Sequence, residues 1–168
     1  VCHPVTRQHC LRYPPCTIPL DWTCAYAQDP DTKLLHDHLS TSAPFSKLDI
    51  TRLHSAYRDY IRQGRLSLLD GKLVVFQPVQ NHKEILTLII VPPSLRRNIF
   101  SACHASPSTG HMGIYKTLHC VRLRFFWPHS RKDITNWVLQ CPHCIASDGS
   151  VARNSELVFS WPLCCPFY

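Results

Sequence analysis

Four side chains in the second half of the chain constrain its fold more than any other feature. His104 and His111 are separated by six residues, and a Cys141-Pro-His-Cys144 knuckle follows after twenty-nine more. A structural zinc site takes four tetrahedral nitrogen or sulfur ligands, and short spacers keep the entropy cost of bringing paired ligands together small. The spacing therefore predicts one structural Zn²⁺ held by His104, His111, Cys141 and Cys144.

Two other interpretations of these residues compete with a zinc site. The histidines could be unrelated core residues beside a chance cysteine pair. Alternatively, Cys141 and Cys144 could be a redox pair, which is favoured where a helix begins because the helix dipole lowers a thiol pKa. The sequence predicts that Cys141 closes a helix instead, and the four-ligand spacing favours zinc over both alternatives. Three further histidines in this region are predicted not to be ligands: His119, His129 and His143.

Further residues recur at characteristic offsets around the ligand pairs: Gly110-His111-x-Gly113-x-x-Lys116-Thr117, Phe126-Trp127-Pro128, and Asp133-x-x-x-Trp137 before the Cys-x-x-Cys knuckle. Over about residues 92 to 147, this set resembles the zinc-binding domain of integrases from gypsy-type long-terminal-repeat retrotransposons and retroviruses. The resemblance implies a DNA partner, self-association with other integrase chains and a nuclear location. The hairpin region upstream resembles the small extension that often precedes such a domain.

Positive charge is concentrated in the same segment. Between residues 92 and 144, seven basic residues and one acidic residue account for +6 of the formal net charge of +7. Zinc held by two neutral histidines and two thiolates adds no net charge, so the surplus remains after metal binding. Clustered positive charge attracts phosphate backbones without reading sequence. Against the alternative of a merely soluble basic surface, the predicted DNA contacts are Lys116, Arg122, Arg124, Arg131 and Lys132.

The ten cysteines are not placed like those of a secreted disulfide scaffold. Cys103 and Cys120 fall in helical runs where small buried residues are expected. The sequence assigns no role to the remaining six outside the zinc set, which are Cys2, Cys10, Cys16, Cys24, Cys164 and Cys165. A reducing, intracellular compartment fits this placement better, and no run of about eighteen apolar residues indicates a membrane span.

Periodicity and turn residues predict a small unit before the zinc segment. Ser46 is expected to cap a helix whose apolar stripe runs on to Gly64. Asp70-Gly71 lies between two apolar runs and predicts a β-hairpin, because a type I′ turn needs positive φ at both central residues. Residues 84–91 are a third strand candidate. The unit either braces the zinc segment, contacts nucleic acid or simply packs, and packing alone is the interpretation we favour.

Three helices are predicted in the zinc segment itself. The first opens at Pro92-Pro93 and ends at His104. The second carries an apolar stripe of Ile114, Leu118, Val121 and Phe125, and the third is capped by Ser130, with Asp133 at the capping-box position. Trp127 and Trp137 are expected in the core rather than as platforms for stacked bases.

These elements predict an α+β fold, in which a small zinc-stapled three-helix domain follows a helix and a short antiparallel three-stranded sheet, with irregular termini. The predicted segments are a proline-rich lead (1–43, irregular except for a short helix at Thr32–Leu39), the extension (44–91), the zinc-binding domain (92–147) and a linker (148–168). Because the chain begins without Met and ends where a catalytic core would follow, we interpret it as a fragment or an incomplete gene model.

No enzymatic activity is predicted for this chain. Joining of DNA ends by the integrase family requires converging carboxylates that hold two divalent metals, whereas beyond Cys144 the chain offers only Asp148 and Glu156. Four protein ligands would leave zinc no open position for a catalytic water. The predicted function is a structural zinc module that helps integrase multimers assemble and binds DNA, without a membrane or small-molecule partner. The alternative is a zinc-stabilised protein-interaction module, host-retained or truncated, without a nucleic-acid role.

Overall fold

The computed structural model describes residues 21–42, 44–79, 85–107 and 109–148, and within them the predicted α+β class is confirmed. The helices are α1 (Trp22–Ala27), α2 (Pro30–Thr41), α3 (Lys47–Arg52), α4 (Ser55–Arg62), α5 (Pro93–His104), α6 (Ile114–Arg122), α7 (Ser130–Leu139) and α8 (Pro142–Asp148). The strands are β1 (Leu66–Leu69), β2 (Lys72–Pro78), β3 (Ile85–Ile90) and β4 (Phe125–Phe126). The described residues do not include the first twenty residues of the lead or residues 149–168 of the predicted linker. These two parts contain Cys2, Cys10, Cys16, Cys164 and Cys165.

The sheet has the strand order β1-β2-β3-β4, and its first three strands form the predicted antiparallel meander. Asp70 and Gly71 have φ of 50° and 70°, which confirms the tight hairpin. Gly71 tolerates this left-handed backbone because it has no Cβ.

β4 is an element that the sequence analysis did not predict. Phe125 was expected on the helical stripe of α6, but α6 ends at Arg122 and Phe125–Phe126 pairs parallel with Ile89–Ile90 of β3. The edge of β3 offers backbone groups that need hydrogen-bond partners. Ile89 N, in β3, donates to Arg124 O at 2.8 Å, and Val91 N, directly after β3, donates to Phe126 O at 2.9 Å. The zinc segment therefore contributes a strand to the sheet of the preceding segment.

The single helix predicted from Ser46 to Gly64 is two helices. Ser46 caps α3 as predicted, accepting a hydrogen bond from Asp49 N at 3.1 Å. The chain then becomes extended at Leu53, whose side chain is buried, and His54 caps α4 by accepting from Ala56 N through Nδ1. Burial of Leu53 thus takes precedence over helical continuity.

The lead also contains more helix than expected. Residues 21–30 were predicted irregular, yet Asp21 caps α1 by accepting from Cys24 N at 3.0 Å. Asp29 caps α2 in the same way, with Pro30 at the first helical position, where its missing N–H costs nothing. Pro30 therefore stands at the start of a helix rather than interrupting one. No helix within the described ranges combines the length and the apolar character needed to cross a membrane.

Side chains pack into two cores. The zinc-side core contains mainly residues of α5, α6 and α7 with Trp127, and the sheet-side core contains residues of α2, α4, β2 and β3 with Tyr26. Successive strand residues point to opposite faces, so β4 supplies Phe125 to the first core and Phe126 to the second. The Tyr26 hydroxyl anchors α1 to the sheet, donating to Ile90 O at 3.0 Å and accepting from Leu73 N at 3.2 Å.

Candidate metal centre

The two histidines are brought together by the end of α5 and a tight return loop. His104 is the last residue of α5 and is completely buried. Gly110 and His111 both have left-handed φ, 56° and 55°, which reverses the chain so that the His111 ring meets that of His104 at 5.1 Å between centroids. Glycine accepts this backbone readily and histidine more often than most residues.

The two cysteines flank the start of α8. Cys141 is buried and lies between the end of α7 and Pro142, and its carbonyl accepts from Ile145 N at 3.0 Å. The sequence-based argument against a redox pair was therefore wrong in one respect, because Cys141 opens α8 as well as following α7. α8 continues to Asp148, the first residue of the predicted linker.

The atoms of the four predicted ligands converge on one point. Cys141 Sγ lies 3.4 Å from His111 Nδ1, and Cys144 Sγ lies 3.4 Å from His104 Nε2. All four ligand atoms are within 4.8 Å of one another. Usual Zn–S and Zn–N bond lengths at a tetrahedral ion give a sulfur–nitrogen separation of about 3.6 Å. The donor set therefore fits one structural Zn²⁺, and this arrangement, rather than the position of Cys141 on a helix, decides against a redox pair.

Groups behind His104 fix which nitrogen faces the centre. His104 Nδ1 lies 2.8 Å from Met112 O, a carbonyl that can only accept, so Nδ1 carries the proton and Nε2 is left as a ligand. Buried Thr117 donates to the same carbonyl at 2.9 Å, and Phe100 stacks on the imidazole at 4.9 Å. Burial lowers the pKa of His104, which favours the neutral ring that metal binding requires.

The backbone of α8 prepares Cys141 for a metal. Burial raises the pKa of this thiol, but hydrogen bonds from the backbone N–H groups of Cys144 and His143 and from the Cys144 side chain outweigh burial and lower it. A lowered thiol pKa favours the thiolate, which is the form that binds zinc. Sequence reasoning missed these donors, because a helix beginning at Pro142 was not predicted.

Residues 91–149 match the model of a protein family, the integrase zinc binding domain. The matched segment is similar to that family. The resemblance seen in the sequence is thereby confirmed, and the four ligand positions lie within the matched range. No curated protein and no solved structure matches the chain.

The spare histidines of the zinc-binding domain lie outside the ligand set of the described residues. The exposed ring of His143 packs on that of His111 at 4.6 Å. His129 instead contacts the extension, with its Nε2 3.3 Å from His54 Nε2. His54 Nδ1 is occupied as a helix cap, so His54 Nε2 is the donor of this bond in the neutral state.

The predicted DNA-contacting residues lie along α6, the turn after it and the first turn of α7. Lys116, Arg122, Arg131 and Lys132 are exposed, and Arg124 is partly buried beside β3.

Ser130 does not cap α7, contrary to prediction; His129, with φ of 62°, occupies the cap position without a side-chain bond. Asp133 instead accepts from Trp127 Nε1 at 3.0 Å. This bond satisfies the indole of Trp127, which is only 1% exposed and confirmed as core.

A second cysteine pair lies close to the centre but outside it. The side chains of Cys103, on α5, and Cys120, on α6, are hydrogen-bonded to each other, and both pack in the zinc-side core. This bond, opposed by burial and aided by Arg124, lowers the pKa of Cys120 to about 7. The prediction that Cys103 is a small buried core residue is confirmed, because it is 2% exposed.

Proposed function

We propose that His104, His111, Cys141 and Cys144 hold one structural zinc ion, and that the folded domain helps integrase chains assemble on DNA in the nucleus. In this role the domain is not catalytic. It binds phosphates through Lys116, Arg122, Arg124, Arg131 and Lys132. The match of residues 91–149 to the integrase zinc binding domain supports the general role.

The observation that supports the DNA role is a cluster of three basic residues, Arg122, Arg131 and Lys132, which we call the basic corner. None of the three forms a salt bridge with a carboxylate of the described residues. Partial desolvation lowers the pKa of the Arg122 guanidinium, and the nearby charge of Arg131 lowers it further. Arg131 and Lys132 also stand in the first turn of α7, where the helix dipole disfavours positive charge. The charges at these positions therefore do not stabilise the fold. A bound polyanion would offset both the Arg122–Arg131 repulsion and the unfavourable interaction of Arg131 and Lys132 with the helix dipole.

The test is a salt titration of duplex DNA binding with the full, zinc-loaded chain. Because each phosphate contact contributes about 0.9 to the slope of log affinity against log salt, the double variant Arg122→Gln/Arg131→Gln is expected to lower the slope by about 1.8 and to weaken binding at low salt. The matched control is Arg52→Gln/Arg62→Gln, which removes the same charge from exposed positions on α3 and α4. Fluorescence anisotropy with a labelled duplex measures both.

A salt-independent affinity, or equal losses in the two double variants, would contradict the DNA role. The result would then favour the protein-interaction module, for which exposed Leu139 and Ile145, next to the metal loop, offer an apolar surface. Sedimentation velocity of the same samples would show such assembly directly.

A further inference from the structure

A cleft of about 500 Å³ separates α6 from the β2–β3 face of the sheet. One wall is built by the zinc-binding domain, with Tyr115, His119 and Arg122 of α6. The opposite wall is built by the extension, with Tyr60 of α4 and Leu86 and Leu88 of β3. Its volume is in the range that accommodates a small-molecule-sized group rather than a macromolecular surface.

The charge of the cleft is one-sided. None of the residues lining it is acidic, while Arg122 contributes a guanidinium and His119 an imidazole. Ser130, where α7 begins without a side-chain cap, also lines the cleft, and Arg131 follows it in the chain. A helix N-terminus beside an arginine without a carboxylate partner favours an anionic group such as a phosphate.

The cleft also carries aromatic rings that are available for stacking. Tyr115 is 76% exposed, although it is a large side chain beside an apolar wall. Tyr60 and Phe126 also line the cleft and meet edge to face, with ring centroids 5.0 Å apart. Tyr115, His119 and Arg122 recur at helical spacing, so an aromatic ring and a guanidinium lie on the same face of α6.

We propose that this cleft binds one unpaired nucleotide of single-stranded nucleic acid, with its base against Tyr115 and its phosphate at Arg122. The inference rests on the proposed nucleic-acid role and gives it a defined site. A base inside a duplex is stacked on both faces and paired along one edge, so it cannot enter a cleft of this size. An unpaired base, in contrast, can present its π face to an aromatic side chain. Duplex phosphates would still reach the exposed basic corner.

The experiment compares single-stranded and duplex DNA on the full, zinc-loaded chain. The probes are a fluorescein-labelled oligothymidylate of about twelve nucleotides, within the usual site size for single strands, and a duplex with the same label. Tyr115→Ala is expected to weaken single-strand binding by about 5- to 150-fold, the range for loss of one stacked base. Duplex affinity should change less than about twofold, because Tyr115 carries no charge.

Tyr115→Phe keeps the ring and is expected to restore single-strand affinity. Leu139→Ala is the matched control, because it truncates another exposed apolar side chain outside the cleft. A strand containing 5-iodouracil should crosslink to Tyr115 on irradiation, which locates the base independently of affinity.

Unchanged single-strand binding in Tyr115→Ala would overturn the inference, even if duplex binding keeps its salt dependence and the proposed function stands. A second outcome is that single-strand binding depends on Tyr115 while duplex affinity does not change with salt concentration. This outcome would support the cleft and contradict the proposed binding of duplex DNA. Loss of self-association in Tyr115→Ala, seen by sedimentation without any change in DNA binding, would assign the cleft to a second copy of the chain. A chain that binds neither probe would overturn both proposals.

Discussion

The two cores of this chain are held together by different kinds of bonds. The sheet-side core lies against three antiparallel strands whose backbone hydrogen bonds run along most of their length. The zinc-side core packs three helices of 12, 9 and 10 residues, and isolated helices of this length are marginal in water. Their loops converge on the four candidate ligands. From this contrast we expect metal binding to contribute folding free energy mainly to the zinc-side half of the described structure.

The largest effect should follow from removing a ligand. His104→Ala or Cys141→Ser should abolish tight zinc binding and the helicity of α5–α8, because apparent zinc-binding free energies of about 10–16 kcal/mol equal or exceed the stability of an ordinary domain. The hairpin β1–β2 should keep its protection, since its bonds do not involve the metal. Zinc content, far-UV circular dichroism and amide hydrogen exchange measure these three quantities.

The matched control for that experiment is His143→Ala. This residue lies between the two cysteines and packs on His111 but is outside the ligand group. It should retain one zinc ion per chain. If the β1–β2 amides instead lose protection together with α5–α8, the two cores are one cooperative unit and the proposed division between them is wrong.

An intermediate effect is expected from Tyr26→Phe, which acts on the other core. It leaves Ile90 O and Leu73 N, both bonded to the hydroxyl, without that partner in the interior. Leaving buried polar groups unsatisfied costs about 1–3 kcal/mol, so the urea midpoint should fall while zinc stoichiometry stays the same. Burial raises the pKa of Tyr26, so its hydroxyl remains a donor throughout the neutral range.

Tyr60→Phe provides the comparison for Tyr26→Phe. The Tyr60 hydroxyl forms no hydrogen bond with another described residue, and the variant keeps the contact between the ring of residue 60 and Phe126. Equal destabilisation by the two substitutions would show that the Tyr26 hydrogen bonds are not what anchors α1 to the sheet.

The smallest effect concerns the cap of α3 and depends on pH. The Ser46 hydroxyl is the main cause that lowers the pKa of Asp49, and the charge of His38 contributes less. A carboxyl with a lowered folded-state pKa adds stability above its unfolded pKa of about 3.9, and this contribution is lost as pH falls through the folded value. Ser46→Ala should therefore be less stable at pH 7, and its deficit should shrink below about pH 4.

Loss of the cap itself, which is worth about 1 kcal/mol, should persist at both pH values. Thermal unfolding of the parent chain and of Ser46→Ala at neutral and acid pH separates the two contributions. A deficit that is identical at both pH values would show that Asp49 plays no part.

The sequence predicted features that depend on local chemistry. Ligand spacing identified His104, His111, Cys141 and Cys144 as a converging group, and Asp70-Gly71 identified the hairpin because its turn requires a particular backbone. What it could not predict depends on distant partners. The break at Leu53 follows from burial against other elements, and Phe125 leaves its helical stripe because β3, far away in sequence, offers an open edge.

The functional details were missed for the same reason. Met112 O and Thr117 set the tautomer of His104 from across a loop, and no residue pattern indicates a backbone carbonyl. The predicted DNA contacts rest on the charge pattern of the sequence. Of these five residues Arg122 alone lines the cleft with aromatic walls, and nothing in the sequence indicated that placement.

The two-residue strand β4 has a practical consequence for anyone who divides this protein. The family match begins at residue 91, immediately after β3, whereas the strand that completes the sheet lies inside the match at Phe125–Phe126. Cutting at this border would leave β3 with an unpaired edge on one fragment and an orphan strand with exposed phenylalanines on the other, and open edges of this kind promote aggregation. The unit recognised by sequence similarity is therefore smaller than the unit that should be expressed, crystallised or transplanted.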